Sequence, residues 1–204
     1  NQEQEAHIIT LEDPLEYLHR HEKSIVSQRE ISTDTDSYLI ALRAALRQSP
    51  DVILLGEMRD YETINTAVTA AETGHLLFSS LHTIGAANTI DRIIDVFPAS
   101  QQQQISIQLA SILNAVVSQK LLPTVDGKVV PAFEIMVLTP AIRTLIRERK
   151  VHQIDGIIYT SSAVNMVAMD TSILKLYQDG IISKETAINE AMNPDMMMRR
   201  INLK

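Results

Sequence analysis

The chain has 204 residues, 45% of them hydrophobic and 21% charged, enough to bury a core in one large domain or a domain with a small satellite. A net charge of −7, aromatic content of 4% and no Trp exclude a broadly basic, ring-studded nucleic-acid surface. With no Cys there are no disulfides, thiolate zinc sites or cysteine nucleophiles, and no apolar run is long enough to cross a bilayer.

The opening Asn1–Glu5 is polar and reads as the exit from a helix. Without an initiator Met, the chain is expected to be a fragment of a longer polypeptide. His7-Ile-Ile-Thr-Leu11 predicts a buried strand that runs into the carboxylates Glu12 and Asp13. Leu39, Leu42 and Leu46 recur at helical spacing behind a Thr/Asp-rich start, predicting a helix to about Gln48, stopped by Pro50. Val52–Leu55 is a compact apolar strand bounded by Asp51 and Gly56. Tyr61, Ile64, Val68 and Ala71 form one helical face that Gly74 can end, and Leu76–Leu81 predicts the next strand. Ile90, Ile93 and Ile94 give a short helix closed before Pro98. This alternation predicts an α/β fold, a mainly parallel sheet with helices on both faces and ligands at its carboxyl edge.

From Ser100 the character changes. Ile105, Leu109, Ile112 and Val116 predict a longer helix, and Asp126-Gly127 between apolar runs over 121–138 predicts a hairpin. Thr139-Pro140 is a cap and first turn, a further helix opens at Asp170 or Thr171, and Ser183 caps the next. The expected division is a core over 1–98 and a hairpin-plus-helical region over 99–204, with a soft boundary near 98–120.

Glu12 and Asp13 follow the first strand, Glu57 the second, and His82 ends the third. If these strands are parallel neighbours, their tips meet at one edge. A carboxylate there can orient or deprotonate water, another can hold magnesium, and a histidine can stabilise developing phosphate charge. Each residue also has a plainer reading. Asp13-Pro14 alone is a capped turn, and His75 after Gly74 is a helix-terminal histidine held by the dipole. Arg43 and Arg47, four apart on one helix face, read as salt-bridge partners.

Ile9-Thr-Leu-Glu-Asp-Pro-Leu-Glu16 resembles the acidic Asp box of the secretion and type IV pilus ATPases. Asp51–Asp60 resembles their Walker B segment, and Ala70–Thr83 is similar to their His box nearly throughout. The resemblance implies a RecA-like P-loop NTPase core, ATP and Mg2+ as cofactors, and a homohexameric ring. Glu12 would polarise the attacking water, Glu57 would act through magnesium, and His82 with His75 would contact the γ-phosphate. Asp13 and Asp51 would be nucleotide- or magnesium-associated, and Arg29 and Arg59 are candidates for a trans-acting or interface arginine. The plainer reading of both arginines is an ion pair.

Relatives of this kind that drive assembly or type II secretion carry a four-cysteine zinc module. This chain has none, so no structural metal site is expected. Ala141-Ile142-Arg143-Thr-Leu145-Ile146-Arg147-Glu148 resembles a motif of the retraction branch, although an amphipathic helix burying Ile142, Leu145 and Ile146 explains the same pattern. The implied role is ATP-driven pilus retraction and twitching motility at the cytoplasmic face of the cell membrane, against an inner-membrane platform protein. Nucleic-acid binding and membrane insertion are not expected. The sequence contains no Gly-x-x-x-x-Gly-Lys-Ser/Thr, so this polypeptide alone is expected to bind ATP poorly and to hydrolyse it negligibly. The alternatives are a non-catalytic assembly module, a type II secretion or DNA-uptake ATPase, and a metal-dependent hydrolase using His75, His82, Glu12 and Glu57.

Overall fold

Four parallel strands form the first sheet, β1 (His7–Glu12), β2 (Ile25–Glu30), β3 (Val52–Leu55) and β4 (Leu76–Ser79), in the order β2-β1-β3-β4. The register sets Ile9 against Ile53 and Leu11 against Leu55. With a side-chain period of two, these residues share one face, and all four are fully buried. Against them pack α1 (Tyr38–Ala45) and α2 (Tyr61–Glu72), through Ala41, Leu42, Ala45 and Ala67. Ser37 caps α1 by accepting from the Ile40 N–H, and Asp60 caps α2 by accepting from Thr63. Gly74, at φ +101°, turns the chain out of α2 into β4.

The computed structural model describes residues 1–161 and 165–202. They divide into two compact units, Asn1–His82 with Val96–Pro98, and Thr83–Asp95 with Ala99–Lys204. In the first unit the expected parallel sheet with flanking helices is present, and α1 and α2 both lie on its Ile9/Ile53 face. The reverse face leaves Leu76 and Phe78 about half exposed. β2 was not foreseen. Its sequence, Ile-Val-Ser-Gln-Arg-Glu, has two apolar residues, and an edge strand bonded to one neighbour needs no more.

The second unit contains α3 (Ala86–Asp95), α4 (Gln102–Ile112), the strands β5 (Ala115–Pro123) and β6 (Val129–Val137), and then α5 (Pro140–Arg147), α6 (Ile154–Thr160), α7 (Met169–Gln178), α8 (Lys184–Glu190) and α9 (Pro194–Asn202). β5 and β6 are the expected antiparallel hairpin, turned at Gly127 with φ +80°. The helix expected to reach Val116 stops at Ile112. Leu113 is extended, and Val116-Val117 are β-branched residues that suit the strand they enter. Thr139 and Ser183 cap α5 and α8 as expected. Leu122 and Ala132 of the hairpin pack with Met169, Ile173, Leu174 and Met197 in this unit's core. Glu134 of β6 lies in the same interior at 6% exposure, accepting the Ala86 N–H at 2.8 Å and the Met169 N–H at 3.4 Å. One carboxylate therefore joins β6 to the first turns of α3 and α7.

Candidate functional site

Because β1, β3 and β4 run in the same direction, their carboxyl ends lie along one edge of the sheet. The chain leaves β3 through Gly56, whose N–H donates to Leu11 O at 2.7 Å. A Cβ at Gly56 would meet Leu11 O at 2.9 Å and the Tyr38 hydroxyl at 2.8 Å, so a side chain here would push apart the tips of β1 and β3. Ser80 Oγ donates to Gly56 O at 2.5 Å, and Met58 N–H to Ser80 O at 3.1 Å, which fastens the exit of β4 to that of β3.

This frame brings Glu12, Asp13, Tyr38, Glu57, Arg59 and His82 to the wall of one cavity of about 400 Å³. Glu57 is only 7% exposed. Its cover is a thin lid of two exposed side chains, Arg59 with Nη2 at 2.5 Å from one oxygen and His82 with Nε2 at 3.2 Å from the other. The Arg59 hydrogen bond holds the Glu57 carboxyl below the usual range. Desolvation opposes that effect, and the His82 hydrogen bond adds to it. Glu57 is thus kept ionised. The Tyr38 phenol is pushed up, first by burial and then by the Glu57 charge, so it remains a neutral donor. Glu12 is held differently. Thr10 Oγ1 at 2.6 Å and Gln28 Nε2 at 3.2 Å both donate to its Oε1. Its second oxygen has no such partner among the described residues.

Asp51 and His75, expected beside the nucleotide, do not join this cavity. Each precedes its strand, at the amino edge of the sheet. There Asp51 accepts the His7 N–H at 2.7 Å, and His75 Nδ1 lies 2.9 Å from Ala70 O. Four strand residues at ~3.3 Å rise separate Asp51 from the Glu57 end by about 13 Å. The helix-terminal reading of His75 therefore describes its surroundings, and Asp51 fastens β1 to β3. Arg29 sits on β2, outside the cavity lining. Sequence reasoning missed Tyr38, Thr10, Gln28 and Ser80. Thr10 was findable, because it lies two residues before Glu12 on the same strand face. Tyr38 and Gln28 reach the site through α1 and the unforeseen β2, and neither carries a local signal.

The Ala141–Glu148 segment forms α5 in the second unit, with Ile142 and Ile146 fully buried and Leu145 partly so. Arg143 Nη1 donates to Ala110 O and Ser111 O, capping the end of α4. Arg147 is exposed and donates to Thr144 Oγ1 at 3.0 Å, while Glu148 pairs with Lys150 at 2.7 Å. Among the described residues no three His, Asp or Glu side chains converge as a metal-binding cluster, and no helix is long and apolar enough to cross a membrane.

A parallel sheet whose carboxyl edge collects carboxylates, an arginine and a histidine has the build of the α/β proteins whose ligand sites lie at that edge. The chain belongs to the type II/IV secretion system protein family, whose sequence profile matches residues 1–178. It is 50% identical over 198 residues to a twitching motility protein of Neisseria gonorrhoeae, covering 97% of this chain and 53% of that protein. It is 49% identical over 189 residues to the type IV pilus retractation ATPase PilT of Pseudomonas aeruginosa, covering 93% of this chain and 55% of the relative. The crystal structure of the pilus retraction motor PilT with bound ADP superposes with a TM-score of 0.88 at 49% identity, over 97% of this chain and 56% of that one. The chain thus spans about half the length of the relatives it matches.

Proposed function

We propose that this chain supplies the water-activating and magnesium-facing part of an ATP-hydrolysing motor for type IV pilus retraction. The observation that carries this reading is the convergence of Glu12, Glu57, Arg59 and His82 on one cavity at the carboxyl edge of the sheet. Glu57, kept ionised, is the carboxylate that would face a magnesium ion through its water shell, and Glu12 and Asp13 line the same cavity wall. Mg-ATP, when bound, would supply the phosphoryl group and its charge. Glu12 accepts a hydrogen bond from the attacking water through its unoccupied oxygen, while Thr10 and Gln28 fix the carboxylate's direction. Glu57 would hold the water shell of the magnesium ion when it is bound. Arg59 and His82, at present paired with Glu57, are cationic or polar groups that phosphate oxygens can draw over.

In this reading residues 1–98 act as the RecA-like core and 99–204 as the hairpin-and-helix region. The working form is a homohexamer, and α5 with its exposed Arg147 serves the coupling to retraction against an inner-membrane platform protein. The names of the relatives support the motor assignment, and the ring and the platform contact extend it. The present sequence contains no phosphate-binding Gly-rich loop with its Lys, so the polypeptide by itself should release phosphate only at background rate. The test has two arms. Phosphate release is measured on the chain alone, and surface motility and pilus number are scored in a piliated host whose gene carries Glu12→Gln or Glu57→Gln. Background release, with about a 100-fold or greater loss of motor turnover in the variants, is expected. Host variants that retract normally would remove the assignment of these carboxylates.

A further inference from the structure

Residues 13–24 join β1 to β2 and contain no helix or strand. Parallel neighbours are usually connected through a crossover helix, so this segment has to be held by other means. Near its start the Leu15 N–H donates to Glu30 Oε2 at 3.2 Å. Near its end Arg20 O and the Glu22 N–H bond the Asn1 side chain at 2.8 and 3.2 Å. Between these points the stretch is held by Gln28 of β2. Its Oε1 accepts the His19 N–H at 2.7 Å, and its Nε2 donates to Tyr17 O at 2.9 Å.

The same Nε2 donates to Glu12 Oε1 at 3.2 Å. All three partners agree on which way the amide faces. His19 offers a hydrogen, while Tyr17 O and the Glu12 carboxylate offer lone pairs, so the nitrogen has to face the carboxylate. The amide has two N–H hydrogens, one for Tyr17 O and one for Glu12. Glu12 has a second donor, Thr10 Oγ1 at 2.6 Å, on its own strand. The Thr10 bond lies within β1 and does not depend on the segment. The Gln28 bond does, because His19 and Tyr17 fix the rotation of the amide. The terminal torsions of Glu and Gln are broad, so one donor leaves a carboxylate free to swing about that contact, and a second fixes it.

We infer that Gln28 is a positioning residue that makes the aim of Glu12 conditional on the seating of the β1–β2 segment. A seated segment holds the amide, the amide holds Glu12 Oε1, and the second oxygen is left for the water. When the segment lifts, Glu12 keeps Thr10 alone and loses its fixed direction. The consequence for turnover rests on the reading of Glu12 as the water-orienting carboxylate, whereas the link itself rests on the bonds. Coupling of this kind is reciprocal, so removing the Glu12 carboxylate also loosens the segment.

The link is measured on the chain itself by trypsin, which cuts at the exposed Arg20 in proportion to the open population of the segment. Gln28→Met keeps the length of the side chain and removes the amide, and should raise cleavage at Arg20 about tenfold. Glu12→Ala should raise it about threefold in the native background and add nothing on top of Gln28→Met. The same factor in both backgrounds would mean that Gln28 only pins the segment, and would overturn the inference. The opposite direction is read at the carboxylate by carbon NMR. His19→Pro deletes the donor to Gln28 Oε1 and leaves the Glu12, Thr10 and Gln28 side chains intact. It should move the Glu12 carboxyl resonance in the same direction as Gln28→Met, with unchanged circular dichroism confirming that both variants fold. A resonance that ignores His19→Pro would equally overturn the link. Normal retraction in a Glu12→Gln host, with the cleavage coupling intact, would remove the catalytic reading and leave the link standing.

Discussion

Glu57 and Glu134 are almost equally hidden from solvent, at 7% and 6% exposure, yet their carboxyl groups are shifted in opposite directions. Glu57 sits shallow at the sheet edge beneath two exposed side chains of opposite or convertible charge. Glu134 sits deep in the second unit, and its named partners are two neutral backbone N–H groups. Burial pushes Glu134 up, and the Ala86 and Met169 amides only partly offset it. Low exposure alone therefore does not set a carboxylate's role. Arg59 and His82 keep Glu57 charged, whereas the helix starts around Glu134 use its carboxylate as a joint.

Glu134→Ala offers the sharpest way to break this contrast. It strands two buried amides and should cost about 1–3 kcal/mol of stability in urea unfolding, with the loss concentrated in the second unit. If the cost is negligible, the structural role of Glu134 is lost.

The opposite shifts also predict opposite pH dependence. Glu134, raised in the fold, contributes stability that is full below the ordinary glutamate pKa and fades as pH rises through the raised value. Glu57, lowered in the fold, contributes stability that is full above the ordinary value and fades as pH falls through the lowered one. Denaturation curves taken across the acidic range should therefore lose their high-pH decline in Glu134→Gln and their low-pH decline in Glu57→Gln.

The smallest effect on stability is expected from Arg59→Ala. The side chain is 69% exposed, so thermal stability should stay nearly constant. The Glu57 carboxyl pKa, followed by carbon NMR, should nonetheless rise toward the ordinary range. No movement would mean that His82 or solvent, rather than Arg59, sets the charge.

Much of the fold was legible because its signals are local. Val52–Leu55 is too short for a helix and is punctuated by Asp51 and Gly56, and the structure has β3 there. In the second unit Asp126-Gly127 marks the hairpin, and Thr139-Pro140 the start of α5. β2 was not legible, because an edge strand with four polar residues among its six looks like a loop until β1 supplies its ladder. The placement of Asp51 and His75 depended on direction. A residue before a strand and one after it are near in sequence but lie at opposite edges of the sheet.

By itself the sequence determined β1, β3, β4 and the hairpin turn, since apolar period, capping and turn chemistry act within a few residues. Only the tertiary structure decided that Glu12, Glu57 and His82 share one edge and that Tyr38 and Gln28 join them. It also decided that Glu134 is a buried joint. Those outcomes depend on strand direction, register and which side chain is left beside a charge, all of which are fixed by contacts between residues distant in the chain.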